Sequence, residues 1–127
     1  MPELTPLETE VLHRCIADAQ RPEWRPRLEN QLRHSAIVTR TEKTFGYYID
    51  FEVPDELRIA EMTDDANKSP MSAGALHPDG KNGICFILYI KDGKLNFLEL
   101  SSTSEWPKDE DAIRFLDPPS PSRIQPS

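Results

Sequence analysis

Two periods organise the polar and apolar positions of this chain. Behind Thr5-Pro6 the residues Leu7, Val11, Leu12, Cys15, Ile16 and Ala19 recur at helical spacing and draw one apolar stripe. Thr5 suits the cap, Pro6 the first helical position, and Glu8 completes a capping box. Pro22 and Pro26 interrupt the pattern, and a second helix is predicted from Trp24 or Pro26 to His34, burying Leu28, Leu32 and Trp24. His34 then stands at the negative end of that helix. Beyond it the period becomes two. Phe45, Tyr47, Ile49, Phe51 and Val53 alternate with Gly46, Tyr48, Asp50 and Glu52, the signature of a strand with one dry and one wet face. Ala36 to Glu42 is rich in β-branched residues and should pair with it through a turn near Lys43; Pro54 ends the strand.

The run Gly83 to Pro107 reads as a hairpin about Asp92-Gly93, a dipeptide that favours a type I′ turn because both central residues need positive φ. An unbroken ladder from that turn places Lys91 opposite Lys94, Ile90 opposite Leu95 and Leu88 opposite Phe97. One face then carries Phe86, Leu88, Ile90, Leu95, Phe97 and Glu99, and the other Cys85, Ile87, Tyr89, Leu98 and Leu100. Both faces are apolar, whereas a sheet with one solvated face should alternate cleanly. The second face must be covered by the C-terminal part of the chain, to which Trp106, Phe115 and Leu116 could contribute, by curling of the sheet, or by another molecule. Leu57 to Met62 is read as a short strand, Met71 to His77 as another, "HPDGKNG" as a turn, and "DEDAIRFL" as a last short helix or strand.

Helices first and strands afterwards give an α+β domain: two N-terminal helices packed on one face of an antiparallel sheet of about five or six strands. Residues 1–117 form the single domain, and the Pro/Ser-rich 118–127 a disordered tail. A length of 127 residues suits one core. The net charge of -7 argues against a general nucleic-acid binder, which needs clustered Lys and Arg; it fits a basic protein partner, and more often marks an ordinary soluble acidic protein. No leader or membrane-spanning run is read in the sequence, so a cytoplasmic protein with reduced Cys15 and Cys85 is expected.

Charge is uneven along the chain. Asp50 to Asp65 holds seven acids and one base, while Arg14 to Arg40 holds six arginines against three acids. The acidic residues Asp50, Glu52, Asp55 and Glu56 are therefore candidate docking positions, and Tyr89, Asn96 and Leu98 are candidates on the second hairpin face. No spacing of His, Cys, Asp or Glu suggests a metal site, no glycine-rich loop suits a phosphate, and no cofactor is expected. Both cysteines read as small core residues. Glu99, Asp50, Glu52 and His77 are the only candidates for acid–base chemistry, and a solvated sheet face yields the same pattern far more often.

The segments "LTPLETEVL", "LRHSAIVTRTEKTFGYYIDFEVP" and "GICFILYIKDGKLNFLELSSTSEWP" resemble a family of small, uncharacterised bacterial proteins. Its members share a similar opening helix, a "vxRexTGvGFxxxF" stretch and a "DGxLxxLEgxTyxxxWP" close. The resemblance implies a single α+β domain and no activity. Matching positions are Arg40, Glu42, Phe45, Gly46, Glu99, Trp106 and Pro107, and Arg40 with Glu99 would make a buried polar pair. Glu99-Leu100-Ser101 stands where the family has Glu-Gly-aromatic, and Thr44-Phe45-Gly46 replaces a Thr-Gly-hydrophobic-Gly turn. The expectation is a non-enzymatic, immunity-type or regulatory protein that binds a protein partner. A self-associating or small-ligand-binding domain is the alternative, and an enzyme using Glu99 comes third.

Overall fold

The computed structural model describes residues 3–62 and 71–116, so the predicted tail 118–127 lies outside the described residues. Helix α1 (Pro6–Ala17) starts at the capping box read from the sequence: the Glu8 N–H donates to Thr5 Oγ1 (3.1 Å) and the Thr5 N–H to Glu8 Oε1 (2.9 Å). Its stripe of Val11, Leu12, Cys15 and Ile16 is buried. Helix α2 (Trp24–Arg33) buries Trp24, Leu28 and Gln31. His34 caps its end, with Nδ1 2.9 Å from the Asn30 carbonyl oxygen.

The strands are β1 (Ala36–Lys43), β2 (Gly46–Glu52), β3 (Met71–Leu76), β4 (Gly83–Lys91), β5 (Lys94–Ser102) and β6 (Arg114–Phe115). They form one antiparallel sheet in the order β1-β2-β5-β4-β3-β6. The fold is α+β, with the two helices N-terminal to the strands and packed on the sheet's inner face over β3, β4 and β5. Beyond the two residues of β6, the free edge of β3 is met by a side chain: the Ser72 N–H donates to Asp18 Oδ2 at 3.0 Å.

The hairpin between β4 and β5 turns as predicted, with Asp92 at φ 54° and Gly93 at φ 73°. Lys91 faces Lys94 and Ile90 faces Leu95. The unbroken register fails immediately afterwards. Tyr89 pairs with Phe97 and Leu88 with Leu98, so Asn96 is an extra, unpaired residue: a β-bulge. Because side chains alternate with period two, one inserted residue exchanges the faces of everything beyond it. Leu98 and Leu100 join Phe86, Leu88, Ile90 and Leu95 in the core, while Phe97 and Glu99 move outward beside Cys85, Ile87 and Tyr89. The assignment of Leu98 and Leu100 to the second face is thereby corrected.

Other expectations are corrected as well. Phe45 lies in the β1–β2 turn, 44% exposed, outside the strand whose dry face it was to continue. Residues 57–62 form no strand; two 3₁₀ turns, Asp55–Leu57 and Ala60–Met62, flank the buried Ile59, and its spacing of three from the buried Met62 suits a turn better than a strand. Residues 109–116 supply both a 3₁₀ turn (Glu110–Ala112) and β6. Trp106 packs on Tyr47, and Phe115 on Phe86, both on the inner face, so neither covers the outer one.

Gln31, fully buried, fastens α2 to the hairpin tip. Its Nε2 donates to the carbonyls of Leu57 (2.8 Å) and Gly93 (2.9 Å), and its Oε1 accepts the Leu95 N–H (2.9 Å). The Gly93 turn is held so closely that a Cβ there would lie 2.3 Å from the Ile59 carbonyl oxygen. Replacing Gln31 with Leu takes a partner from each of three backbone groups, leaves the buried Leu95 N–H without one, and should lower unfolding stability by about 2 kcal/mol. Urea denaturation followed by circular dichroism measures this; an unshifted midpoint would mean that the backbone groups find other partners.

Candidate functional site

The outer sheet face is built by β2, β4 and β5. Pairing sets Tyr48 opposite Glu99, Asp50 opposite Phe97, and Phe97 opposite Tyr89. This register, set by the bulge at Asn96, brings three aromatic rings into a row. Tyr89 stacks on Phe97 with centroids 4.3 Å apart, and Phe97 meets Tyr48 edge-on at 5.6 Å. Ile87 extends the apolar strip, and all four side chains are half-buried. Such cross-strand pairs stabilise the sheet while leaving ring surface open.

Carboxylates border the row. Asp50 accepts a hydrogen bond from Thr39 Oγ1 (2.7 Å), and Tyr89 Oη donates to Glu99 Oε1 at 3.4 Å. Burial, and after it the charge of Glu99, pushes the Tyr89 phenol above its ordinary value. Lys43 places its ammonium 4.6 Å from the centroid of the Tyr48 ring. Glu52, exposed at the end of β2, continues the same face.

Of the predicted site residues, the fold brings Asp50, Glu52, Tyr89 and Glu99 to this face. Asn96 lies at its margin as the bulge residue, and Leu98 is buried on the other side. Asp55 and Glu56 lie in the turn after β2. Asp55 is paired with Lys94 and Arg58, and the Lys94 hydrogen bond comes first among the causes that lower its pKa. Glu61 is paired with Arg27 at 2.8 Å. The acidic segment is thus partly neutralised at Asp55 and Glu61.

The predicted pair of Arg40 with Glu99 does not form, because the two residues stand on opposite faces. The partner of Arg40 is Glu8, a residue legible in the sequence only as a capping position. Arg40 Nε donates to Glu8 Oε2 (3.1 Å) and Nη2 to Oε1 (2.6 Å), while Tyr47 Oη donates to Oε2 at 2.8 Å. Glu8 is 1% exposed, and burial alone would raise its pKa. The hydrogen bonds from Arg40, the Thr5 N–H and Tyr47 outweigh that cost and hold it below the ordinary 4.5. Tyr47 is pushed upward by burial and by its bond to Glu8. Arg40 occupies an inward-facing strand position opposite the buried Ile49, the one sequence-level sign that it needed an acid.

A cavity of about 550 Å³ opens beside this cluster, between the start of α1, the β1–β2 turn and the segment from Trp106 to Glu110. Tyr47 and Trp106 meet there at 5.5 Å with planes at 83°, and Trp106 Nε1 donates to Glu110 Oε2 at 2.8 Å. Gly46 on its wall is required by close packing, since a Cβ would fall 1.9 Å from the Leu100 carbonyl oxygen.

Neither cysteine makes a reactive centre. Cys15 is buried and its thiol is pushed up to about 12, chiefly by burial. Cys85, expected in the core, is exposed on the outer face, with its pKa raised by partial burial and then by Glu99. His77 has both ring nitrogens engaged: Nε2 donates to the Glu105 carbonyl (2.9 Å) and Nδ1 accepts the Asp79 N–H (3.1 Å). Among the described residues no group of three or more His, Cys, Asp or Glu is placed to hold a metal ion. No described helix is long and apolar enough to cross a membrane.

No family model, curated protein or solved structure matches this chain.

Glu8 carries a pH dependence of defined sign. Its folded pKa lies below 4.5, so its contribution to stability is complete above that pH and is lost as pH falls through the folded value. Glu8→Gln should cost about 3 kcal/mol at neutral pH by leaving Arg40 without its charge partner. The gap between variant and wild type, followed by thermal melts, should close on acidification below 4.5. A gap independent of pH would show that the charge is not what stabilises this contact.

Proposed function

We propose that the chain is a non-enzymatic interaction protein, of the immunity or regulatory kind, which docks a basic surface of a partner protein onto its outer sheet face. The observation that carries this reading is the Tyr48–Phe97–Tyr89 row, on the face opposite the helices and bordered by Asp50, Glu52 and Glu99. Aromatic rings supply contact area at small entropic cost and are the commonest anchors of protein interfaces. Carboxylates beside them select arginine, whose planar cation stacks on a ring while bonding an acid. The chain's net charge of -7 steers such a partner from a distance. A cytoplasmic setting accords with this reading.

Self-association is the weaker alternative, because two copies meeting through this face would confront Asp50 and Glu99 with their own like charges. Catalysis by Glu99 or Asp50 is weaker again: Asp50 is bound by Thr39, Glu99 by Tyr89, and His77 at both ring nitrogens.

The test compares wild type with Tyr89→Asp and with Asp50→Lys as baits, each shown by circular dichroism to be folded. Wild type should retain one defined protein with a basic surface, and raising salt should release it. Either substitution should weaken that complex by about 2 kcal/mol, roughly thirtyfold in affinity. Asp50→Lys changes a surface group, so it keeps the test decisive if Tyr89→Asp unfolds. A complex indifferent to both changes and to salt would overturn the proposal, as would a homodimer in sedimentation that either substitution dissociates.

A further inference from the structure

We infer that the cavity beside Trp106 is a binding site for an organic cation, a guanidinium or ammonium group on a short apolar stem. The inference is independent of the outer face and rests on which charges in the cavity are already spent. Glu8 and Arg40 neutralise each other, and Arg40 also donates to the Glu3 carbonyl, so its charge is met within the fold and its Nε and Nη2 donors are committed. Lys43, the other cation on the wall, holds its ammonium over the ring of Tyr48.

What remains is negative. Glu42 shares the inward-facing side of β1 with Arg40, stands opposite Tyr47, and has no hydrogen-bond or ion-pair partner among the described residues. Glu110 receives the Trp106 indole N–H on one oxygen, which orients the carboxylate and leaves its second oxygen for another donor.

Two aromatic rings stand beside these acids. Tyr47 and Trp106 both line the cavity in edge-to-face contact, and fixing the indole through Glu110 sets its orientation before any ligand arrives. A volume of about 550 Å³ lies in the range of small-ligand sites. Rings with adjacent carboxylates favour a polarisable organic cation over a hard metal ion, which needs several oxygen ligands at once. The cation can arrive on a free amine or on an arginine side chain of a protein, and the chemistry of recognition is the same.

The test follows the Trp106 indole cross-peak in nitrogen-edited NMR while agmatine, blocked arginine amide and blocked glutamate amide are added to separate samples. Agmatine or blocked arginine should give a saturable shift, and Glu42→Gln/Glu110→Gln should weaken it at least roughly tenfold. The amide oxygen introduced by Glu110→Gln can still accept the indole N–H, so the double variant preserves the wall; an unchanged Tyr47 and Trp106 environment in its spectrum checks that. Tighter binding of agmatine marks a free amine as the ligand, and tighter binding of blocked arginine marks a side chain. No saturation by either cation at concentrations on the order of 10 mM, an equal response to blocked glutamate, or undiminished binding in the double variant would overturn the inference.

Discussion

A strand's side chains alternate with period two, so one unpaired residue decides which face everything beyond it occupies. In this protein that residue is Asn96. It gathers Leu98 and Leu100 into the core with Phe86 and Leu88, and it turns Phe97 and Glu99 outward to meet Tyr48 and Tyr89. Remove the bulge from the ladder and the helices would meet Phe97 and Glu99, while two leucines would face water. The core under the helices and the aromatic row on the opposite side are two results of one local event.

The second constraint is the buried acid at the start of α1. A carboxylate that is 1% exposed is costly unless its oxygens are fully engaged, and Glu8 engages them with Thr5, Arg40 and Tyr47. A capping residue thereby becomes a joint between the helix, β1 and β2. It also clears the neighbouring cavity of free positive charge, because the arginine that would otherwise dominate it is held by the fold.

Much of the architecture is legible in the chain because its signals are local. The Thr5–Glu8 box, the alternation of residues 47–53 and the positive-φ demand of Asp92-Gly93 each need only a few neighbouring residues to act. The bulge is different. Its one trace in the sequence is Glu99, which an unbroken register would bury among apolar side chains. The partnership of Arg40 with Glu8 spans 32 residues and leaves no local mark beyond a charge at an inward position. The same holds for Gln31, a polar residue on an otherwise apolar stripe whose partners belong to a turn far along the chain. The outer face was half legible: Asp50, Glu52, Tyr89 and Glu99 reach it, but Leu98 does not, and the reason is again Asn96.

The fastening of α2 to the hairpin tip also bears on how the molecule is made. Gln31 closes contacts across 62 and 64 residues, to Gly93 and Leu95. During synthesis the helices leave the ribosome long before those partners exist. Until the Asp92-Gly93 turn emerges, Gln31 lacks two of its three partners, and the apolar faces of α1 and α2 lack most of the sheet they cover. Glu8 can find Arg40 and Tyr47 early, whereas the fastening of α2 to the sheet waits for the hairpin.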